Sequence, residues 1–197
     1  MGNIEENMDD FLTIVRADIQ RYLGTDKYGL WTLIKSLYLS ECLLYIVMFR
    51  ICQRIIKIEN RFIRSLLKIV FMHTIFRFFS IFFGIEIHVT ADIGKGMYIG
   101  HFGDIHIGPV KMGGFCNISQ GVTIGLGRME TDRFGLPTFG DHVYIGPGAK
   151  IFGNINVGSN VSIGANAVVS KDIPDNAIVV GNPGRIVGYQ DRNTMIQ

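Results

Sequence analysis

"IGPGAKIFGNINVGSNVSIGANAVVSKDIP", residues 145–174, puts an aliphatic residue at every sixth position: Ile145, Ile151, Val157, Ile163 and Val169. A helix repeats every 3.6 residues and a strand every 2, so neither makes this period. A coil with three short faces does. Each six-residue unit gives one strand and one turn. The aliphatic residue points inward, and glycine or asparagine takes the tight turn. Two residues before each aliphatic position stands a small or modest side chain: Val143, Ala149, Val161, Ala167.

The same rule reaches back along the chain. Ile87, Ile93, Ile99 and Ile105 are six apart; one spare residue intervenes near Pro109–Gly114; Met112, Ile118 and Ile124 resume, and Phe139 restarts the series after a break. These thirteen positions span residues 87–169 and imply about four stacked coils, a hexapeptide β-helix with backbone groups paired between coils. The break is "LGRMETDRFGLP", residues 126–137. A loop leaving a rigid coil usually serves contacts or function, so it is expected to stand off and reach a neighbouring subunit.

Before Gly84 the composition inverts. Only three of the 24 glycines precede it, and 14 of the 22 aromatic residues do. Met8, Phe11, Leu12, Val15, Ile19 and Tyr22 have helical spacing, with Gly24 as a stop. Residues 30–58 and 61–83 read as two further helices. Residues 35–77 carry eight basic and two acidic side chains, and no uncharged run exceeds eight residues, against roughly 18 for a bilayer span. Two readings stand. These helices pack against themselves and their neighbours, or they form a basic amphipathic surface resting on an anionic membrane.

The net charge of +2 gives no case for nucleic acid. Cys42, Cys52 and Cys116 have no metal spacing and read as reduced packing thiols. "MGNIEENMDD" has no apolar run of the kind a secretory signal needs.

"IHVTADIGKGMYIGHFG", "ISQGVTIG" and "VVGNPGRIVG", with the opening stretch, resemble the serine acetyltransferase family of hexapeptide acyltransferases over about residues 84–188. "FFGIEI", residues 82–87, looks closer to the colanic-acid or polysaccharide-type branch. The resemblance implies an α+β protein: an α-helical N-terminal domain (1–84), a left-handed parallel β-helix (85–188) and a tail (189–197). It also implies a homotrimer with sites between subunits, and acetyl-CoA as donor without a metal. His101 falls at the catalytic histidine and Glu86 at its orienting carboxylate. Gly125, Gly127, Gly164, Ala165, Lys171 and Arg185 fall in stretches resembling the cofactor-binding ones. Arg133 matches a loop arginine for the acceptor.

By register, Gln120 should neighbour His101 one coil on, and Asp104 lies in the same turn; both are acceptor-binding candidates. Gly100 stands where the family has an amine-binding aspartate. That departure favours a saccharide hydroxyl as acceptor, in polysaccharide biosynthesis. The alternatives are L-serine, with Glu130 or Asp132 of a neighbouring subunit filling the gap, and, more remotely, a silent trimeric scaffold or a γ-carbonic-anhydrase-like zinc enzyme. The last is suggested by His101 and His106, five apart, but a third ligand is wanting, since His88 is too close and His142 is on the wrong side. A cytosolic donor implies a cytoplasmic protein, which the membrane reading makes peripheral at the inner membrane face through residues 30–83.

Overall fold

The structure is a computed structural model and describes residues 2–127 and 134–190. Three helices open it: α1 (Gly2–Leu23), α2 (Leu30–Leu39) and α3 (Glu41–Ile56). The single helix expected over 30–58 is in fact two, bent by 106°. The cause is Ser40, whose side chain accepts a hydrogen bond from Leu43 N at 3.2 Å and so caps α3 rather than continuing α2. Asn60 likewise caps a long helix, Arg61–Phe83, accepting from Phe62 N and Ile63 N. Its centre, Lys68–Phe76, is π-helical. Gly84, in the left-handed region at φ +62, ends it and turns the chain directly into the first strand.

The rest is a parallel β-solenoid with three faces. The first face stacks Ile85–Ile87, Ile105–Ile107, Thr123–Gly125, Lys150–Phe152 and Val168–Val169, so there are about five turns rather than four. The second stacks Asp92–Ile93, Lys111–Met112, Thr138–Phe139 and Asn156–Val157. The third stacks Tyr98–Ile99, Asn117–Ile118, Tyr144–Ile145, Ser162–Ile163 and Ala177–Val180, and Arg185–Tyr189 closes it antiparallel. All thirteen repeat positions are buried, none more than 7 % exposed, and so are the small residues two before them.

One register differs from the spacing argument. Ile87 pairs with Ile107, not Ile105. From Ile99 to Ile107 the third-to-first corner therefore takes eight residues where six would do, and the following corner, to Met112, takes five. The irregularity expected near Pro109–Gly114 is chiefly an enlargement of the corner holding His101. The loop 126–137 is anchored by Gly127 N donating to Gly135 O at 3.0 Å, but residues 128–133, on which its reach to a neighbour depends, lie outside the described residues.

The helices are tied to the first coil by polar contacts. Asp18 of α1 and Arg50 of α3 form a buried pair at 2.8 Å. Asp18 also accepts from Met97 N, while Arg50 donates to the carbonyls of Ile93 and Gly94, both at 2.7 Å. Burial pushes the Asp18 carboxyl above the usual carboxylate range, opposed by the Arg50 charge. Tyr22 spans Ile99, donating to its carbonyl and accepting from its N–H, each at 2.8 Å.

Candidate functional site

Alternation along Ile105–His106–Ile107 buries the isoleucines and turns His106 outward on the first face. Parallel pairing then stacks Glu86, His106, Thr123 and Lys150 in one outward row. Two residues of the enlarged corner, Gly103 at φ +108 and Asp104 at φ +53, adopt the left-handed region, and the Asp104 carboxylate comes back over this row. The result is a ladder of charged side chains with His106 at its centre. Arg77 of the long helix meets Glu86 at 3.3 Å. Glu86 Oε2 lies 3.6 Å from His106 Nδ1, and Asp104 Oδ1 lies 3.4 Å from His106 Nε2. Lys150 is 4.0 Å from Asp104 and is held by Gly121 O at 2.7 Å and Thr123 Oγ1 at 2.9 Å.

A cleft of about 610 Å³ opens between this face and the long helix, with Arg77, Glu86, His88, His106 and Ile124 in its walls. Its apolar side comes from Met72, Phe76 and Ile87. Both the volume and the mix of apolar wall with a few converging charges suit a small-molecule site.

The residues singled out from sequence occupy the two edges of that same face. His101 and Gln120 stand on the third-to-first corner, where stacked backbones bond coil to coil: Gly121 N to Gly103 O and Gly148 N to Gln120 O, both 2.9 Å. Gly164 and Ala165 lie two coils further along this edge. Gln120 Oε1 is buried there without a hydrogen-bond partner. Gly125, Gly127 and Lys171 stand on the opposite edge, where Gly153 N bonds Gly125 O. Arg185 begins the last strand and pairs with Val180, which lies over Gly164, so it stands at the end of the same third-to-first edge as Gly164 and Ala165. Arg133 lies outside the described residues, as do Glu130 and Asp132.

By the resemblance, Glu86 is expected at the carboxylate that orients His101. Within this chain the Glu86 carboxylate meets His106 and Arg77, because the eight-residue corner sets His106 directly over Glu86. His101 remains exposed at the corner. Sequence reasoning left His106 without a role and missed Arg77 and Lys150. The signal was present in the alternation of Ile105–His106–Ile107, but using it required the register of that corner. Among the described residues no cluster of three histidine, cysteine or acidic side chains is placed to hold a metal ion.

No family model matches the chain. It is 44% identical over 106 residues to the serine acetyltransferase of Synechococcus elongatus, covering 53% of this chain and 43% of that protein. The chain spans about half the length of the curated relatives it matches. The crystal structure of Neisseria gonorrhoeae serine acetyltransferase superposes with a TM-score of 0.69 at 30% identity, over 93% of this chain and 68% of that one. A serine acetyltransferase in complex with CoA matches at 31% identity and TM-score 0.69, over 92% and 72%. These relatives carry the serine acetyltransferase name and not that of the polysaccharide branch. The helices followed by this solenoid, at this identity and coverage, place the chain in the serine acetyltransferase family.

Proposed function

We propose that the chain is an acetyl-CoA-dependent O-acetyltransferase whose acceptor is L-serine, working as a homotrimer whose neighbouring subunit closes the exposed His101 corner. The observation that carries the acceptor is the charge ladder. An amino acid is recognised through its ammonium and its carboxylate, and each needs an opposite charge nearby. Asp104 and Glu86 offer the anions, and Arg77 and Lys150 the cations, on one face beside the cleft. Asp104 thus takes the part that Gly100 cannot. The relatives' names support the same acceptor, and the CoA complex in the family supports the donor.

His101 is the proposed base. Its imidazole removes the hydroxyl proton as the oxygen attacks the thioester carbonyl. The C–O bond forms, the tetrahedral intermediate collapses with cleavage of C–S, and the imidazolium returns its proton to the leaving thiolate. Backbone amides near Gly125 and Gly127, across a subunit boundary, are proposed to hold the oxyanion.

A saccharide hydroxyl is the second reading. Gly100 leaves that corner open: an added Cβ would meet nothing closer than the Tyr98 ring at 3.8 Å. Phe102 is exposed beside it and Gln120 Oε1 is unpaired, while Phe134, also exposed, lies at the opposite edge of the face. The test is acetyl-CoA consumption with L-serine and with a panel of saccharides. The serine reading expects kcat/KM of about 10⁴ M⁻¹s⁻¹ or more for L-serine; turnover of saccharides alone would reverse the choice. His101→Ala should lose about 10²- to 10⁴-fold in kcat with CoA binding intact. If His106→Ala shows that loss and His101→Ala does not, the base is misassigned.

A further inference from the structure

The acetyl-transfer reading uses Arg77, and His73 beside it lines the same cleft; the rest of the outer half of the helix Arg61–Phe83 has no part in it. It is 23 residues long; its most apolar stretch has a mean hydropathy of 1.7, yet only 17 % of that stretch is buried. Its inner side packs on α3, where the Phe76 and Tyr45 rings meet at 5.2 Å. Its outer side consists of two rows of residues four apart, exposed at every position. One is Phe62, Leu66, Val70, Thr74, Phe78 and Phe82; the other is Arg61, Ser65, Ile69, His73, Arg77 and Ile81. Phe62 is 78 % exposed and Phe82 70 %.

In a plain α-helix such rows would drift around the axis by about 40° per step. The π-helical centre, with its wider turn, counters that drift and keeps both rows on one side for the whole length. The helix therefore presents an apolar stripe with a polar and cationic edge. An apolar face of this extent on a soluble surface calls for a cover.

We propose that this face docks on an anionic lipid surface, the helix lying in the plane of the headgroups with the Phe62–Phe82 row turned into the acyl boundary. The charges choose this occupant. Between Arg61 and Phe83 stand Arg61, Arg64, Lys68 and Arg77 and no acidic residue, while the exposed Lys57 and Glu59 just before them offset each other. A second copy of this helix would bring the same excess of cations and no acid of its own between Arg61 and Phe83. Anionic headgroups supply the opposite charge. The helix lies rather than spans. Its polar row runs end to end, so a span would bury Arg61, His73 and Arg77 together. Its C-terminus passes through Gly84 straight into the solenoid, where Phe83 and Ile85 are both buried.

The test is sedimentation of the whole protein with vesicles of phosphatidylcholine alone or with about one third phosphatidylglycerol, at about 0.05 and 0.5 M salt. Binding should need the anionic lipid and weaken about tenfold or more at high salt. The triple variant Phe62→Ser, Leu66→Ser, Val70→Ser should lose vesicle binding by about tenfold or more, with its oligomeric state and acetyl transfer unchanged. Arg61→Gln should weaken binding to the anionic vesicles only. Equal binding to both vesicles, or to neither, overturns the proposal. So does a triple variant whose oligomer falls apart in the absence of lipid, which would make the face a contact between copies of this chain.

Discussion

The solenoid and the helices bury their apolar residues by opposite rules. In the solenoid every sixth residue enters a closed interior, and each coil is the partner of the next, so Ile99, Ile145 and Ile163 are fully buried within this one chain. In the helices the apolar residues outnumber the inward positions. Tyr45, Ile46 and Phe49 of α3 are fully buried, while Trp31, Tyr38, Phe62 and Phe82 stand in the open. A repeat that closes on itself is complete as a single chain; an amphipathic helix is complete only with whatever its second face meets. The difference also shows where each region joins the other. Contact between them runs through the polar network of Asp18, Arg50 and Tyr22 as much as through apolar packing.

That network is where the largest effect is expected. Arg50→Met removes the charge that Asp18 faces and leaves a buried carboxylate with only the backbone of Gly96 and Met97 to bond it. Breaking one side of such a pair should cost about 3–5 kcal/mol. The double variant Asp18→Leu, Arg50→Met should recover much of that loss, because no charge is then left buried alone. Denaturant unfolding of the two variants makes the comparison. If the single variant unfolds at the wild-type midpoint, the helices do not depend on this junction for their seat on the coil.

Legibility in the sequence follows the same division. The solenoid could be read because its rule is local: one inward residue per six, glycine after it, small residue before it. What failed was the position of the spare residues, because Ile105 and Ile107 are both buried and the six-residue count fits the wrong one. That single ambiguity hid the outward stack of Glu86 over His106. The junction could not be read at all. Asp18 and Arg50 look like ordinary helix-surface charges, and their pairing depends on how α1 and α3 cross. Nor does residue spacing reveal a π-helical stretch, so the exposed rows of Arg61–Phe83 emerge only from the fold. Residues 128–133, Arg133 among them, stand outside what the structure describes.

A smaller effect separates two corners of the solenoid itself. On the second-to-third edge the backbones close over Gly94, Gly113, Gly140 and Gly158. A Cβ built on Gly140 would come within 2.7 Å of Ser159 N, and one on Gly94 within 2.6 Å of Gly114 N. At the enlarged corner Gly100 has room. Gly140→Ala should therefore cost about 1–3 kcal/mol by overpacking, while Gly100→Ala should stay within about 0.5 kcal/mol. Thermal unfolding of both variants is the check. Equal losses would mean that the two extra residues at the His101 corner do not loosen it.

The smallest effect concerns the thiols, which sit in both regions. Burial pushes Cys42 and Cys116 up to about 11 and Cys52 up to about 12. The folded chain holds these protons more tightly than the unfolded one does. Its advantage from them is therefore complete below the free thiol range, near 8.5, and is lost as pH rises through about 11. At pH 8 the native chain should react with a thiol reagent about 10²-fold more slowly than the denatured chain, since the thiolate is the reactive form. What reaction there is must pass through opening, and opening is easiest where an element lacks cover on one side. Cys42 and Cys52 lie in α3, against the half-covered helix, and Cys116 lies inside the closed stack. Labelling should reach Cys42 and Cys52 before Cys116. Mass spectrometry of partly labelled protein orders the three sites, and a single common rate would mean that the helices and the solenoid open as one unit.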